Sequence, residues 1–296
     1  MKRHLPRFAI GLAILAVLLG HAAKLYPIEL VSRLDAIIYD AKVRLSMKHD
    51  VDDRIVILDI DEKSLAEVGR WPWSRERMAT LIKKLFERDG VRLVGFDVVF
   101  AEPDDSSGLK SLDAMAKNEF RDSAAFQATF REMRPQLDYD ARFAAALKGR
   151  PVVLGYYFSS ESKGTASGAL PAPVFPPGTF GDRNIGFTNW TTYGANLPEF
   201  QNAAASAGHF NPLLDFDGIA RRVPLVVEYK GAYYEALSLA MIRALLGFPK
   251  LQAGFSDAGK SYGGLEWLEM TAQQGKLSIP VDENVAALIP YRGPQG

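Results

Sequence analysis

The chain has no cysteine. That absence removes disulfides, thiolate zinc sites, iron–sulfur clusters and cysteine nucleophiles together, while leaving the compartment open, because oxidising environments permit disulfides without requiring them. An excess of charge is missing too: 35 Lys and Arg against 35 Asp and Glu give a formal net charge of zero. Without the basic surplus that phosphate backbones attract, nucleic acid is not an expected partner. Histidine is scarce, and His4, His21, His49 and His209 lie far apart. H-E-x-x-H does not occur, so the common zinc-hydrolase signature is missing. No catalytic residue, metal or cofactor is therefore assigned. Apolar residues are plentiful, at 48% of 296 residues, enough for one large domain or two ordinary ones with a real core.

The N-terminus concentrates that apolar character. Lys2, Arg3, His4 and Arg7 precede residues 8–19, which carry no polar side chain, and the run continues to Tyr26. This directs the chain to a membrane. A cleaved signal peptide is one reading, with Gly20-His21-Ala22 as a tolerable cut. A signal anchor over residues 8–26 is preferred, because the apolar run flows into further helix without a clear processing site. His21 and Lys24 come late enough to snorkel, and Tyr26 suits the interface. A buried N-terminal core helix of a cytosolic protein is the third reading. The basic start makes residues 1–7 a cytoplasmic tail and places everything after residue 26 outside the cytoplasm, with the lipid bilayer as a partner.

Beyond Pro27 the positions Ile28, Val31, Leu34, Ile38, Ala41 and Leu45 recur every three or four residues, predicting an amphipathic membrane-proximal helix within residues 27–50. Residues 54–61 (RIVILDID) read as a buried strand, 75–88 as a helix with Met78, Leu81, Ile82 and Leu85 on one face, and 91–100 as a second strand. Continuous apolar strands joined by a helix predict a right-handed βαβ unit and a parallel sheet. Residues 104–133 are polar and helical, an excursion over the surface. A short helix at 140–147 and a strand at 151–158 repeat the pattern, and residues 159–180 read as a long loop. Lys230-Gly231 marks a hairpin between 223–229 and 232–234, residues 235–246 an apolar helix, and 276–280 and 286–291 two further strands. The expected fold is α/β, with a mixed, largely parallel sheet and flanking helices, preceded by a transmembrane helix. Residues 51–296 form one outer domain, whose ending just after a strand predicts a domain that is C-terminally incomplete.

Residues 254–261 satisfy G-x-x-x-x-G-K-[ST], the pattern of a phosphate-cradling loop. The preceding segment is a helix rather than a buried strand, and Gly263-Gly264 interrupts the turn after it, so a surface loop is preferred over nucleotide binding. Acidic residues cluster more suggestively. Asp59 and Asp61 share a face of the first predicted strand, Glu62 follows, Asp97 lies late in the second, and Glu102-Pro103-Asp104-Asp105 comes directly after. Ligands bind at the carboxyl ends of parallel strands, and such a cluster suits a hard cation or a pairing with Arg70 and Arg75. The plainer reading has Asp61 capping a turn and Asp97 in one buried ion pair. Gly69-Arg70-Trp71-Pro72-Trp73-Ser74-Arg75 reads either as an aromatic ligand clamp or as a packed loop leading to the N-cap Ser74. Asp215-Phe216-Asp217-Gly218 reads as a turn with glycine at positive φ. A carboxylate-only hydrolase on Asp61, Asp97 and Glu102 stays open on composition alone. The candidate ligand-binding set is Asp61, Glu62, Arg70, Trp71, Trp73, Arg75, Asp97 and Glu102.

Taken in order, Asp53-Arg54, Ile60-Asp61-Glu62-x-Ser64-Leu65, Gly69-Arg70-Trp71-Pro72-Trp73-x-Arg75, Phe96-Asp97-x-x-Phe100-x-Glu102-Pro103-Asp104, Asp217-Gly218-x-x-Arg221 and Tyr291-Arg292-Gly293-Pro294 resemble the type-2 CHASE domain, from about residue 30 to the C-terminus. Tyr39-Asp40 resembles the family's entry into the domain. The resemblance implies an extracytoplasmic sensor module of a bacterial receptor, held by one N-terminal membrane helix. It also implies further helices leading to a cytoplasmic output, most often an adenylate or guanylate cyclase and sometimes a kinase. The resemblance further implies a homodimer and an outer ligand whose identity the motifs do not specify. No output catalytic domain lies within this chain, so enzyme activity would belong to the longer protein.

Overall fold

The chain divides into two units in the computed structural model, Met1–Leu58 with Pro290–Gly296 and Asp59–Ile289. The structure describes residues 5–23, 25–26, 28–47, 52–161, 164–256, 264–273 and 275–293.

In the first unit the apolar segment forms α1 (Leu5–Ala22) and the amphipathic segment α2 (Glu29–Ser46). The run expected to continue as one helix to Tyr26 stops at Ala22. The Leu25 N–H donates to the Gly20 carbonyl, the Ile28 N–H donates to His21 Nδ1 at 3.0 Å, and the Tyr26 hydroxyl donates back to the Val17 carbonyl at 2.8 Å. These bonds end the helix and tie the following segment back to its last turns. Gly20 has no side chain where the Tyr26 ring lies, and a Cβ there would fall 2.5 Å from the Tyr26 hydroxyl oxygen. Among the described residues no helix is long and apolar enough to cross a membrane. The apolar side chains of α1 nevertheless stand open, with Phe8 at 77% and Leu12 at 71% exposure. Asp52 holds Arg54 through two hydrogen bonds of 2.7 and 2.8 Å and lies 3.6 Å from Arg292. Those bonds keep its carboxyl well below the usual range.

Residues 54–61, expected as the first buried strand, belong to no ladder among the described residues, and Ile55, Val56, Ile57 and Leu58 are exposed. Their β-branched composition favours an extended backbone, but a strand is completed only by a partner, which composition does not supply.

The second unit opens with α3 (Glu62–Val68) and α4 (Arg75–Glu87), followed by β1 (Val94–Phe96). The polar excursion folds as α5 (Leu109–Lys117) and α6 (Ala124–Leu137), with α7 (Tyr139–Leu147) leading into β2 (Val152–Ser159). Then come β3 (Thr192–Gly194), α8 (Pro198–Ala203), β4 (Ser206–His209), β5 (Arg222–Pro224), β6 (Val226–Tyr229), β7 (Ala232–Glu235) and α9 (Leu237–Leu245). The chain closes with β8 (Leu251–Phe255), β9 (Leu265–Ala272), β10 (Gly275–Pro280) and β11 (Ala286–Leu288).

β2 is the centre of the main sheet. It pairs in parallel with β1 and β4 and antiparallel with β3. Its alternation places Leu154, Tyr156 and Phe158 on the face that carries Met78 and Ile82 of α4, Phe143 and Leu147 of α7, and Phe200 of α8. The opposite face is pared down to glycine because α9 comes close. A Cβ on Gly95 would strike the Met241 side chain, and one on Gly208 would strike the Leu237 backbone. A second core gathers Leu225, Leu239, Leu251, Leu268 and Val285.

The expectation of a largely parallel sheet is corrected. Among the described residues the β1–β2 and β2–β4 ladders are parallel, and β2–β3, β5–β11, β6–β7, β8–β9 and β9–β10 are antiparallel. The antiparallel ladders include β6 and β7, joined by a tight turn, where Lys230 at φ 52° and Gly231 at φ 76° match the right-handed twist of the strands. The fold is thus mixed α/β with mixed sheets. Of the segment 254–261, residues 257–261 lie outside the described residues, as do Lys24, Pro27 and His49.

Candidate functional site

Arg75 begins α4, and Ser74 before it accepts the Arg77 N–H as N-cap. The helix start therefore aims the arginine inward, where it is 7% exposed. Its backbone N–H donates to the Asp104 carboxylate and its Nη2 donates to the Glu102 carbonyl at 3.0 Å. Asp140, in the first turn of α7, accepts the Asp104 N–H at 2.9 Å and lies 3.8 Å from Arg75 Nε. Beneath these groups the guanidinium carbon sits 4.8 Å from the Phe100 ring centre and 5.9 Å from that of Phe200. One cation thus ties the start of α4, the loop after β1 and the start of α7 over an aromatic floor.

The two carboxylates respond in opposite directions. Burial works to raise Asp104, but hydrogen bonds from Ser106 and the Arg75 N–H, with the Arg75 charge, outweigh it and hold it low. Burial dominates at Asp140 and raises it, only partly offset by the Asp104 N–H and the Arg75 charge. Arg75 Nε and Asp140 Oδ1 have no hydrogen-bond partner.

The predicted residues divide around this centre. Arg75 is at its heart, and Glu102 contributes a backbone carbonyl while its side chain is exposed. Trp71 and Trp73 pack edge to face at 5.7 Å, and Trp73 Nε1 donates to the Gly69 carbonyl at 2.8 Å. Both indoles lie partly buried against the core, so the loop closes on itself. Asp61 is not on a strand: it caps α3 by accepting the Ser64 N–H at 2.8 Å and the Ser64 hydroxyl at 2.6 Å, which hold its carboxyl low. Glu62 is exposed in the first turn of that helix, Arg70 is exposed, and Asp97 is exposed just after β1 rather than in a buried ion pair. Among the described residues no three His, Asp or Glu side chains stand together as a metal site.

Three features went unread in the sequence. Asn196, fully buried, accepts the Phe100 N–H at 2.8 Å and donates to the Gly155 carbonyl at 2.9 Å, fastening the post-β1 loop to β2. Asn211 does the same for both backbone groups of Phe158 at 2.8 Å. His209 is fully buried with neither ring nitrogen hydrogen-bonded, and burial pushes it down to about 3. No sequence pattern marks these residues, because the partners of the asparagines and the burial of His209 come from segments many residues away.

The turn at 215–218 formed as expected, with Gly218 at φ 78°. Arg221, 4% exposed, bonds Asp215 at 2.9 Å and Asp217 at 2.9 and 2.7 Å, clasping the loop.

A family model described as CHASE2 domain matches residues 10–295, nearly the whole chain. Neither curated proteins nor solved structures give a match.

Proposed function

The chain belongs to the CHASE2 domain family, an extracellular sensory domain family, and from that membership we propose that it is the extracytoplasmic sensory module of a bacterial transmembrane receptor. The match over residues 10–295 carries this reading. The coupled output is a cytoplasmic catalytic domain, most often an adenylate or guanylate cyclase. The exposed apolar side chains of α1 support a bilayer as their solvent, since a helix apolar all round is a buried or lipid-facing one. The basic residues at the chain start set the orientation, with residues 1–7 inside and the Asp59–Ile289 unit outside. The module acts as a homodimer, and a ligand that prefers one arrangement of the outer unit shifts the population transmitted through α2.

The Arg75 centre supports a sensor over a hydrolase. Asp104 and Asp140 are engaged by backbone N–H groups and an arginine, and Asp61 is engaged as a helix cap, so none of these three acids is available as a free catalytic carboxylate. The test is topology. Alkaline phosphatase fused after residue 293 is expected to be active and the chain to stay with membranes after carbonate extraction. Inactive phosphatase with the chain in the soluble cytoplasmic fraction overturns the reading.

A further inference from the structure

The long loop between β2 and β3 is not structureless filler. Phe175 and Phe180 are buried in the second core, 5.2 Å apart edge to face, and Phe180 also meets Phe255 at the end of β8 at 6.5 Å. Beside this aromatic floor the loop and β8 enclose an open groove of about 500 Å³ lined by Thr179, Arg183 and Lys250. The size falls within the range of small-molecule sites, and the lining is mixed, with apolar side chains beside Thr179, Arg183, Lys250 and Gln252.

Its charge is one-sided. Among the described residues no Asp or Glu lines the groove, and neither Arg183 nor Lys250 forms an ion pair with a carboxylate. Arg183 is instead held by stacking, its guanidinium carbon 4.2 Å from the Phe255 ring centre. The residue is exposed, and its fork of N–H donors is available for anionic oxygens, which arginine matches in two-pronged fashion.

We propose that this groove binds a small organic anion with a flat apolar body, of the class of aromatic monocarboxylates. The ring packs along the apolar side of the groove at Ala253 and Phe255, and the carboxylate lies between Arg183 and Lys250. The binding claim stands on this geometry alone and does not depend on the receptor reading.

Isothermal titration of the full 296-residue chain with benzoate tests it, with benzamide as the neutral analogue and acetate as the anion without a ring. Saturable benzoate binding with a Kd of about 1 mM or tighter is expected. Benzamide should bind at least about tenfold more weakly and acetate should give no saturation, because both the charge and the ring are required. Arg183→Gln should weaken benzoate about tenfold and Lys250→Gln about threefold, since the arginine supplies two donors where the lysine supplies a point charge. Absence of benzoate binding, equal affinity for benzamide or acetate, or unchanged affinity in the double variant would each overturn the proposal. The comparison of benzoate with benzamide uses the unaltered chain, so it stands even if a variant melts early.

Discussion

The Arg75 guanidinium lies over the Phe100 ring, 4.8 Å from its centre, while its Nη2 reaches past that ring to the Glu102 carbonyl. The arginine is buried at 7% exposure, so its charge is balanced by the neighbouring Asp104 and Asp140 rather than by water. A buried cation of this kind joins elements more than it stabilises them, because its own desolvation offsets most of the attraction.

Removing it should therefore cost more than it contributes. Arg75→Ala leaves Asp140 buried without its cation, and a loss of about 3 kcal/mol in unfolding free energy is expected. Arg75→Lys keeps the charge but not the fork to Glu102, and should lose less. Urea denaturation of both variants checks the order, and equal midpoints for wild type and Arg75→Ala would show that the centre is dispensable.

The Asn196 side chain bridges the Phe100 N–H and the Gly155 carbonyl. Asn196→Ala strands one buried N–H and one buried carbonyl, an expected cost of about 2–4 kcal/mol. Asn196→Asp should be at least as damaging, since it keeps the acceptor but loses the donor and buries a charge. Hydrogen exchange at the Phe100 amide should speed up in both variants.

His209 makes stability depend on pH. Its folded value of about 3 lies below the ordinary 6.5 because burial penalises the charged ring, so the unfolded chain binds the proton first. The stabilising contribution is complete above about pH 6.5 and declines as pH falls toward about 3. At pH 5 the loss is about 2 kcal/mol relative to pH 8. His209→Phe fills the space without nitrogens to satisfy, and its unfolding free energy should be flatter across that window.

Asp217 predicts a second, more acidic dependence. Hydrogen bonds from Arg221 lower its carboxyl to about 2, so its contribution is present above the ordinary carboxylate value of about 3.9 and is lost as pH falls toward about 2. Asp217→Asn should reduce stability at neutral pH and remove that acid limb. A thermal-melt series at pH 2 to pH 5, compared with wild type, shows whether the limb belongs to this residue.

Local patterns were readable wherever the structure obeyed a local rule. The apolar stripe of residues 75–88 became α4, residues 151–158 became β2, and Lys230-Gly231 became the turn between β6 and β7. Asp61 and Ser74 formed caps because a short oxygen side chain before a helix satisfies its first free N–H groups whatever lies beyond. Residues 55–58 had the composition of a strand and did not become one, since pairing is a relationship and not a propensity. β8 and β9 were missed, and with them the extent of the antiparallel sheets.

Composition and spacing alone decided the absence of thiol chemistry, the balanced charge, the apolar N-terminal helix, the helices and hairpin, and the motif order that places the chain in its family. These properties are local or additive, so they survive without coordinates. Tertiary structure decided that Arg75 meets Asp140 rather than Asp61 or Asp97, that Asn196 and Asn211 bond backbone groups of β2, and that His209 is buried. It also brought Arg183 and Lys250 to one groove with Phe180 and Phe255. Each of these joins residues far apart along the chain, and partner choice there depends on which surfaces the folded core brings within hydrogen-bond or van der Waals reach.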